Sequence, residues 1–216
     1  AANINHSCSP NEYLWSMYLV KPPWWLRMIY SGYTWRMPST EKTIYLSFDD
    51  GPHEIATPFV LDTLKQYNAK ASFFCIGKNV RLHPESYQRI LQEGHAVGNH
   101  TENHLNGWHT PNNEYLNNIQ QAEEVIQSNL FRPPYGRIKR SQAKALNKQI
   151  IMWDVLSGDF DPILTPEACL AYCIKHTEAG SIVVFHDSAK AFPKMKYALP
   201  KMLDYFTHQG FQFKAL

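Results

Sequence analysis

The chain has 216 residues, 44% of them hydrophobic and 19% charged, enough to bury a full core in one domain and too apolar for disorder. Its formal net charge of +2 is spread along the chain, which excludes the concentrated basic surface needed to hold nucleic acid. No apolar run is long enough to span a bilayer. No cleavable leader is recognisable either, as would hold for an exported protein whose leader is gone. Periplasm, cell envelope, exterior and cytoplasm all stay open, as does the oligomeric state.

Residues 1–40 are irregular: Pro22-Pro23 is followed by Trp24-Trp25, Tyr30, Tyr33 and Trp35. The prolines interrupt any long helix, so this stretch reads as an extension packed on a main domain of residues 41–216. Lys21, Arg27 and Arg36 among the aromatics also suit a membrane-surface contact. Aromatic content is 13%, which serves core packing and equally the stacking surfaces that sugars use. The four cysteines form no framework. Cys8 is near the terminus, Cys75 lies in a strand-like run, and Cys169 and Cys173 are one helical turn apart, so all four read as reduced and structural.

From residue 41 short apolar runs alternate with helical stretches. Thr43-Ile44-Tyr45-Leu46 is a strand that ends in Ser47-Phe48-Asp49-Asp50-Gly51-Pro52, two adjacent carboxylates before a sharp turn. Neighbours at a strand end project to opposite sides. One carboxylate can therefore bind a cation while the other faces what the cation activates, although Asp-Asp-Gly-Pro is also an ordinary solvated turn. Thr57-Pro58 reads as an N-cap and first helical position, with Val60, Leu61 and Leu64 on one face. A strand at residues 71–76, a helix at 84–92, a strand at 95–99 and a helix at 113–128 follow. Then come a short strand at Leu130-Phe131, a helix at 141–147 and a strand at 149–153. Thr165-Pro166-Glu167 opens another helix, residues 181–185 form a β-branched strand, and a helix at 197–208 and a strand at 211–213 close the chain.

Six or seven strands separated by helices imply a parallel α/β sheet. With no dinucleotide-type glycine motif after the first strand, a closed or nearly closed barrel fits better than an open nucleotide-binding sheet. Such barrels build their sites at the carboxyl ends of the strands. Asp49 and Asp50, His100, Arg132, Asp154 and His186 each follow a strand. His100 and His104, four apart, would share one side of a helical turn and offer two nitrogens to a divalent metal. With an aspartate they would make a two-His, one-carboxylate site, for zinc first, with iron, cobalt, nickel or manganese as alternatives. Arg132-Pro133-Pro134-Tyr135-Gly136 is a stiff loop in which the arginine can hold a carboxylate and Tyr135 or Gly136 can aim an N–H at an oxyanion. His186 can give up a proton near neutral pH.

In this order, Ser47–Pro52, His100–His104, Arg132–Gly136 and Val184-Phe185-His186 resemble the motifs of the polysaccharide deacetylases, the NodB-like carbohydrate esterase family, over roughly residues 41–216. The resemblance implies a distorted parallel (β/α) barrel of about seven strands that removes acetyl groups from carbohydrate, usually N-acetylglucosamine units of chitin or peptidoglycan. It implies Asp50, His100 and His104 as metal ligands and Asp49 as general base. Arg132 would orient that base, the Tyr135 N–H would stabilise the oxyanion, and His186 would be general acid. Pro134, Tyr135 and Phe160 would contact substrate. Two positions depart from the family. Leu156 stands where an aspartate normally partners the histidine, and Phe160 where a tryptophan lines the sugar site; Asp154, two residues earlier on the same strand face, is the expected substitute partner for His186. An O-acetyl carbohydrate esterase and an inactive carbohydrate-binding protein are the competing readings.

Overall fold

The computed structural model describes residues 19–38 and 40–216. Cys8 and the first eighteen residues of the expected extension lie outside the described residues.

Eight short parallel strands make the frame: β1 (Thr43–Asp49), β2 (Ala71–Cys75), β3 (Ala96–Asn99), β4 (Leu130–Phe131), β5 (Gln149–Ile150), β6 (Val155–Leu156), β7 (Ile182–His186) and β8 (Gln212–Phe213). They pair in the order β5-β4-β3-β2-β1-β7-β6, with β8 added to the start of β1. The sheet curls into a distorted (β/α) barrel whose two end strands, β5 and β6, are not paired with one another. Helices α1 (Trp24–Ile29), α2 (Ala56–Gln66), α3 (Gly77–Leu82), α4 (Pro84–Gln92), α5 (Asn112–Glu123), α6 (Arg140–Ala145), α7 (Pro166–His176) and α8 (Phe192–His208) complete it.

The period-two alternation of β1 divides its residues between two environments. Ile44, Leu46 and Phe48 join the large core formed with Val60, Leu61 and Leu64 of α2 and with Met195, Leu199 and Met202 of α8. Ser47 and Asp49, on the other face, turn to the barrel interior, where both accept from Arg132. One strand thus anchors the outer core and supplies the site.

Residues 19–37 occupy the gap between the sheet ends. Thr34 N donates to Ile150 O at 2.9 Å and Met152 N to Thr34 O at 2.8 Å, while Met37 N reaches Gly180 O at 2.9 Å. Leu156 N donates to Val20 O at 2.8 Å. The irregular stretch therefore satisfies backbone groups that a closed barrel would pair internally.

Several local expectations change. Thr57 is inside α2 rather than capping it, because its hydroxyl donates to Asp187 and accepts from His53 N. The helix start is instead held by His53 Nδ1, which accepts from Ile55 N and Ala56 N. The strand expected over 149–153 breaks after Ile150, and β6 forms as a separate two-residue strand. The last helix begins at Phe192 and continues through Pro200. Pro200 lacks an N–H, and the buried face of Met195, Leu199, Met202 and Leu203 carries the helix past it.

Candidate active site

The carboxyl ends of β1, β3, β4 and β7 converge on a cleft of about 860 Å³, whose lining includes Asp50, His100, His104, Tyr135 and His186. Asp50 follows β1 in a left-handed conformation, φ 76°. The turn is tight: a Cβ on Gly51 would meet the Asp187 carboxylate at 2.0 Å, and Gly51 N donates to Asp187 Oδ1 at 3.1 Å. Only glycine allows that approach.

Asp50, His100 and His104 each bring one ligand atom to a common point, all within 4.8 Å of one another. His104 Nε2 is 3.2 Å and His100 Nε2 3.7 Å from Asp50 Oδ1. The two imidazoles do not come from a helical turn. Residues 100–106 are loop, with φ of 66° at Thr101 and 57° at His104. The loop is held by Asn118, whose side-chain oxygen accepts from Glu102 N and Asn103 N, and by Thr101, whose hydroxyl accepts from Leu105 N.

Donor chemistry in this trio suits a divalent cation. His100 Nδ1 donates to Arg132 O at 2.7 Å, which leaves Nε2 as the lone-pair atom facing Asp50. Burial holds the His100 pKa down to about 4, so the ring is neutral at physiological pH, as a ligand must be. Burial pushes the Asp50 carboxyl up, but the adjoining His104 ring and the nearby histidine charges outweigh it and hold the group well below the usual carboxylate range. Asp50 Oδ1 is itself buried with no hydrogen-bond donor among the described residues, an orphaned acceptor of the kind that a cation satisfies.

Beside the trio, Asp49 is 5% exposed and held by Arg132, Nη1 to Oδ1 at 2.6 Å. The guanidinium is fully enclosed: Nη1 also donates to Ser47 Oγ, Nε to Ile151 O and Nη2 to Met152 O, and the group lies 4.0 Å over the Phe74 ring. Such a fork, fixed on every side, holds its carboxylate in one orientation.

His186 ends β7, and its partner is Asp159. Nδ1 donates to Asp159 Oδ1 at 2.7 Å and the backbone N–H to Oδ2 at 2.8 Å. Burial alone would lower the His186 pKa, but Asp159, aided by Asp50 and Asp49, raises it to about 9. The expectation for Asp154 is corrected here. Because β6 starts after Asp154, the register Val155 to Val183 puts Asp154 beside Ile182 at the amino end of β7, about 13 Å from His186 at strand spacing. Its buried carboxylate instead takes Arg27 at 2.5 Å and Ser181 Oγ at 2.6 Å, with Arg36 at 3.7 Å. Asp154 ties the segment of residues 19–37 to the barrel. Asp159 reaches the histidine because Gly158, at φ 76°, turns the chain back past the end of β6.

Of the other expected residues, Tyr135 lies at φ 61° in a 3-10 turn, 61% exposed, with its ring 4.6 Å from that of His104. Gly136 N and Arg137 N bond to Pro133 O and Pro134 O, and the Tyr135 N–H makes no backbone bond among the described residues. Phe160 lines the cleft and packs edge-on against His186 at 4.9 Å. Pro134 is buried and does not line the cleft, so its part is to set the turn. Asp159 is the residue that sequence reasoning missed. The signal was its place directly before the aromatic Phe160, the same order as the family's aspartate-tryptophan pair.

A family model described as polysaccharide deacetylase matches residues 36–151. A peptidoglycan-N-acetylglucosamine deacetylase of Bacillus cereus is 37% identical over 196 residues, covering 85% of this chain and 91% of that protein. The peptidoglycan-N-acetylmuramic acid deacetylase PdaC of Bacillus subtilis is 30% identical over 178 residues, covering 80% of this chain and 37% of that protein. Among solved structures, the Bc1960 peptidoglycan N-acetylglucosamine deacetylase superposes with a TM-score of 0.82 at 30% identity, over 90% of this chain and 95% of that one. BA3943, a CE4 family pseudoenzyme from Bacillus anthracis, gives 0.74 at 23% identity over 84% of this chain and 66% of that one. That last likeness is one of fold alone, so the barrel by itself does not separate an active protein from an inactive one.

Proposed function

This chain belongs to the polysaccharide deacetylase family, and we propose that it is a metal-dependent hydrolase removing acetyl groups from the N-acetylated amino sugars of a peptidoglycan-type glycan. One observation carries the reading: the ligand atoms of Asp50, His100 and His104 lie within 4.8 Å of one another, flanked by the Asp49–Arg132 pair and the His186–Asp159 pair. The names of the relatives support the glycan.

Asp50, His100 and His104 would hold the cation, and zinc suits two imidazoles and a carboxylate with positions left open, a donor set that cobalt, nickel, iron or manganese can share. When bound, the cation supplies Lewis acidity, lowering the pKa of water and drawing charge from the acetyl oxygen. Asp49, held in one orientation by Arg132 at 2.6 Å, takes a proton from the attacking water. The oxygen of that water bonds to the acetyl carbon. Charge gathers on the former carbonyl oxygen, toward which the unused Tyr135 N–H is available. His186, kept protonated at neutral pH by Asp159, gives its Nε2 proton to the amide nitrogen as the C–N bond breaks. Acetate and a free amino sugar result.

Acetate release from peptidoglycan fragments, chitooligosaccharide and acetylated xylan, assayed side by side, tests the reading. The expected result is release from the first, and from the second if short neutral glycans suffice. Release from xylan alone would make the protein an O-acetyl esterase, and release from none would make it a binding protein.

A further inference from the structure

Arg137 and Arg140 lie beside the cleft and outside the hydrolytic groups. Among the described residues, Arg27, Arg36, Arg81, Arg89 and Arg132 each hold at least one carboxylate. Arg137 and Arg140 hold none. Both are exposed, and each lies over the face of an aromatic ring that lines the cleft: Arg137 is 5.2 Å from the Trp108 centroid and Arg140 6.0 Å from that of Tyr30.

The rings are themselves fixed. Trp108 Nε1 donates to Ile138 O at 3.3 Å. Tyr30 stacks on Tyr33 at 5.5 Å, and its carbonyl accepts from Trp35 Nε1 at 3.1 Å. A guanidinium resting on a ring face keeps its N–H edge free, and that planar edge matches a carboxylate. The exposed parts of the rings offer an apolar surface on which a pyranose can lie. One wall of the cleft thus combines a sugar platform with two cations that nothing in the described chain neutralises. Arg137 is two residues from Tyr135, so a glycan unit on this wall is next to the unit being deacetylated.

We propose that this wall is a subsite for a neighbouring glycan unit bearing a carboxylate, with Arg137 as its principal contact and Arg140 as the second. The carboxylate comes either from an acidic ether substituent on the sugar or from an attached peptide. The inference rests on the deacetylase reading and adds to it a preference for acidic over neutral glycan.

The test is steady-state acetate release by the wild type, Arg137→Gln, Arg137→Lys and Arg140→Gln. The substrates are a neutral N-acetylglucosamine oligomer, peptide-free peptidoglycan strands with the acidic ether exposed, and strands carrying peptide. For Arg137→Gln the ratio of acidic to neutral kcat/KM should fall about five- to tenfold, through KM rather than kcat, as expected for one charge-assisted contact at a half-open surface. Arg137→Lys should restore part of the ratio, and added salt should weaken the preference of the wild type. A fall on peptide-free strands assigns the carboxylate to the sugar, and a fall only on peptide-bearing strands assigns it to the peptide. An unchanged ratio, with acetate still released, overturns the subsite and leaves the deacetylase standing. No release from any substrate overturns both.

Discussion

Replacing Asp49 with asparagine should lower kcat by about a hundred- to ten-thousandfold, the usual contribution of a positioned general base, while bound metal stays at the wild-type level. Asparagine keeps an oxygen for Arg132 and has no negative charge with which to take a proton. Asp49 does not belong to the cluster of Asp50, His100 and His104, so a loss of metal would not accompany the loss of rate. The substitution also leaves Arg132, 1% exposed, as a buried cation without its anion. That costs stability by about 3 kcal/mol, so the rate is to be read well below the thermal midpoint, with circular dichroism confirming the fold. Turnover within a few-fold of the wild type would mean that another group takes the proton.

Asp159 and Asp154 should separate sharply in their effects. In the proposed reaction His186 must be protonated to expel the amine, so its pKa, raised to about 9 chiefly by Asp159, would set where activity fails on the alkaline side. Removing that carboxylate with Asp159→Asn should bring the alkaline limb of kcat/KM down by about one to two pH units, and kcat should fall with it near neutrality. The sign for folding runs the same way. A histidine whose pKa is raised in the folded state contributes stability that is complete below its ordinary value of 6.5 and is lost as the pH rises through about 9. Asp159→Asn should therefore flatten the decline in stability over that window. Asp154→Asn should leave the alkaline limb in place and lower the thermal midpoint, because Arg27 loses its partner at 2.5 Å. The pH–rate profiles and melting curves of the two variants decide the matter. If Asp154→Asn moves the limb and Asp159→Asn does not, the assignment of partners is wrong.

What could be read from the chain alone follows the length of its elements. The strand Thr43–Asp49 is seven residues long, enough for alternation to show which side chains face the helices and which face the barrel, so its terminal carboxylates could be placed at the mouth. Arg132 could be placed because two prolines mark the end of its strand. β5 and β6 have two residues each, too few for any period to appear, and the break between them moved Asp154 from the carboxyl end of one strand to the amino side of the next. The His100–His104 spacing brought the right pair together through the wrong geometry. Two left-handed residues and the Asn118 side chain replace the helical turn, and loop conformation of this kind depends on a partner 15 or 16 residues away. Asp159 depends on Gly158, and nothing local says which way a glycine will turn the chain. Thr57 departs from its expected role for a related reason: capping is a local signal, whereas its actual partner, Asp187, is 130 residues away in the chain and follows the neighbouring strand β7.

The metal content of the purified protein, measured against that of Asp50→Ala, tests the central claim most directly. One equivalent of a divalent metal in the wild type, absent from the variant together with acetate release and restored in neither by added zinc at stoichiometric concentration for the variant, is the result expected of a cation held by Asp50, His100 and His104. A wild-type protein that keeps full activity after exhaustive chelation, or a variant that retains the metal, would contradict it.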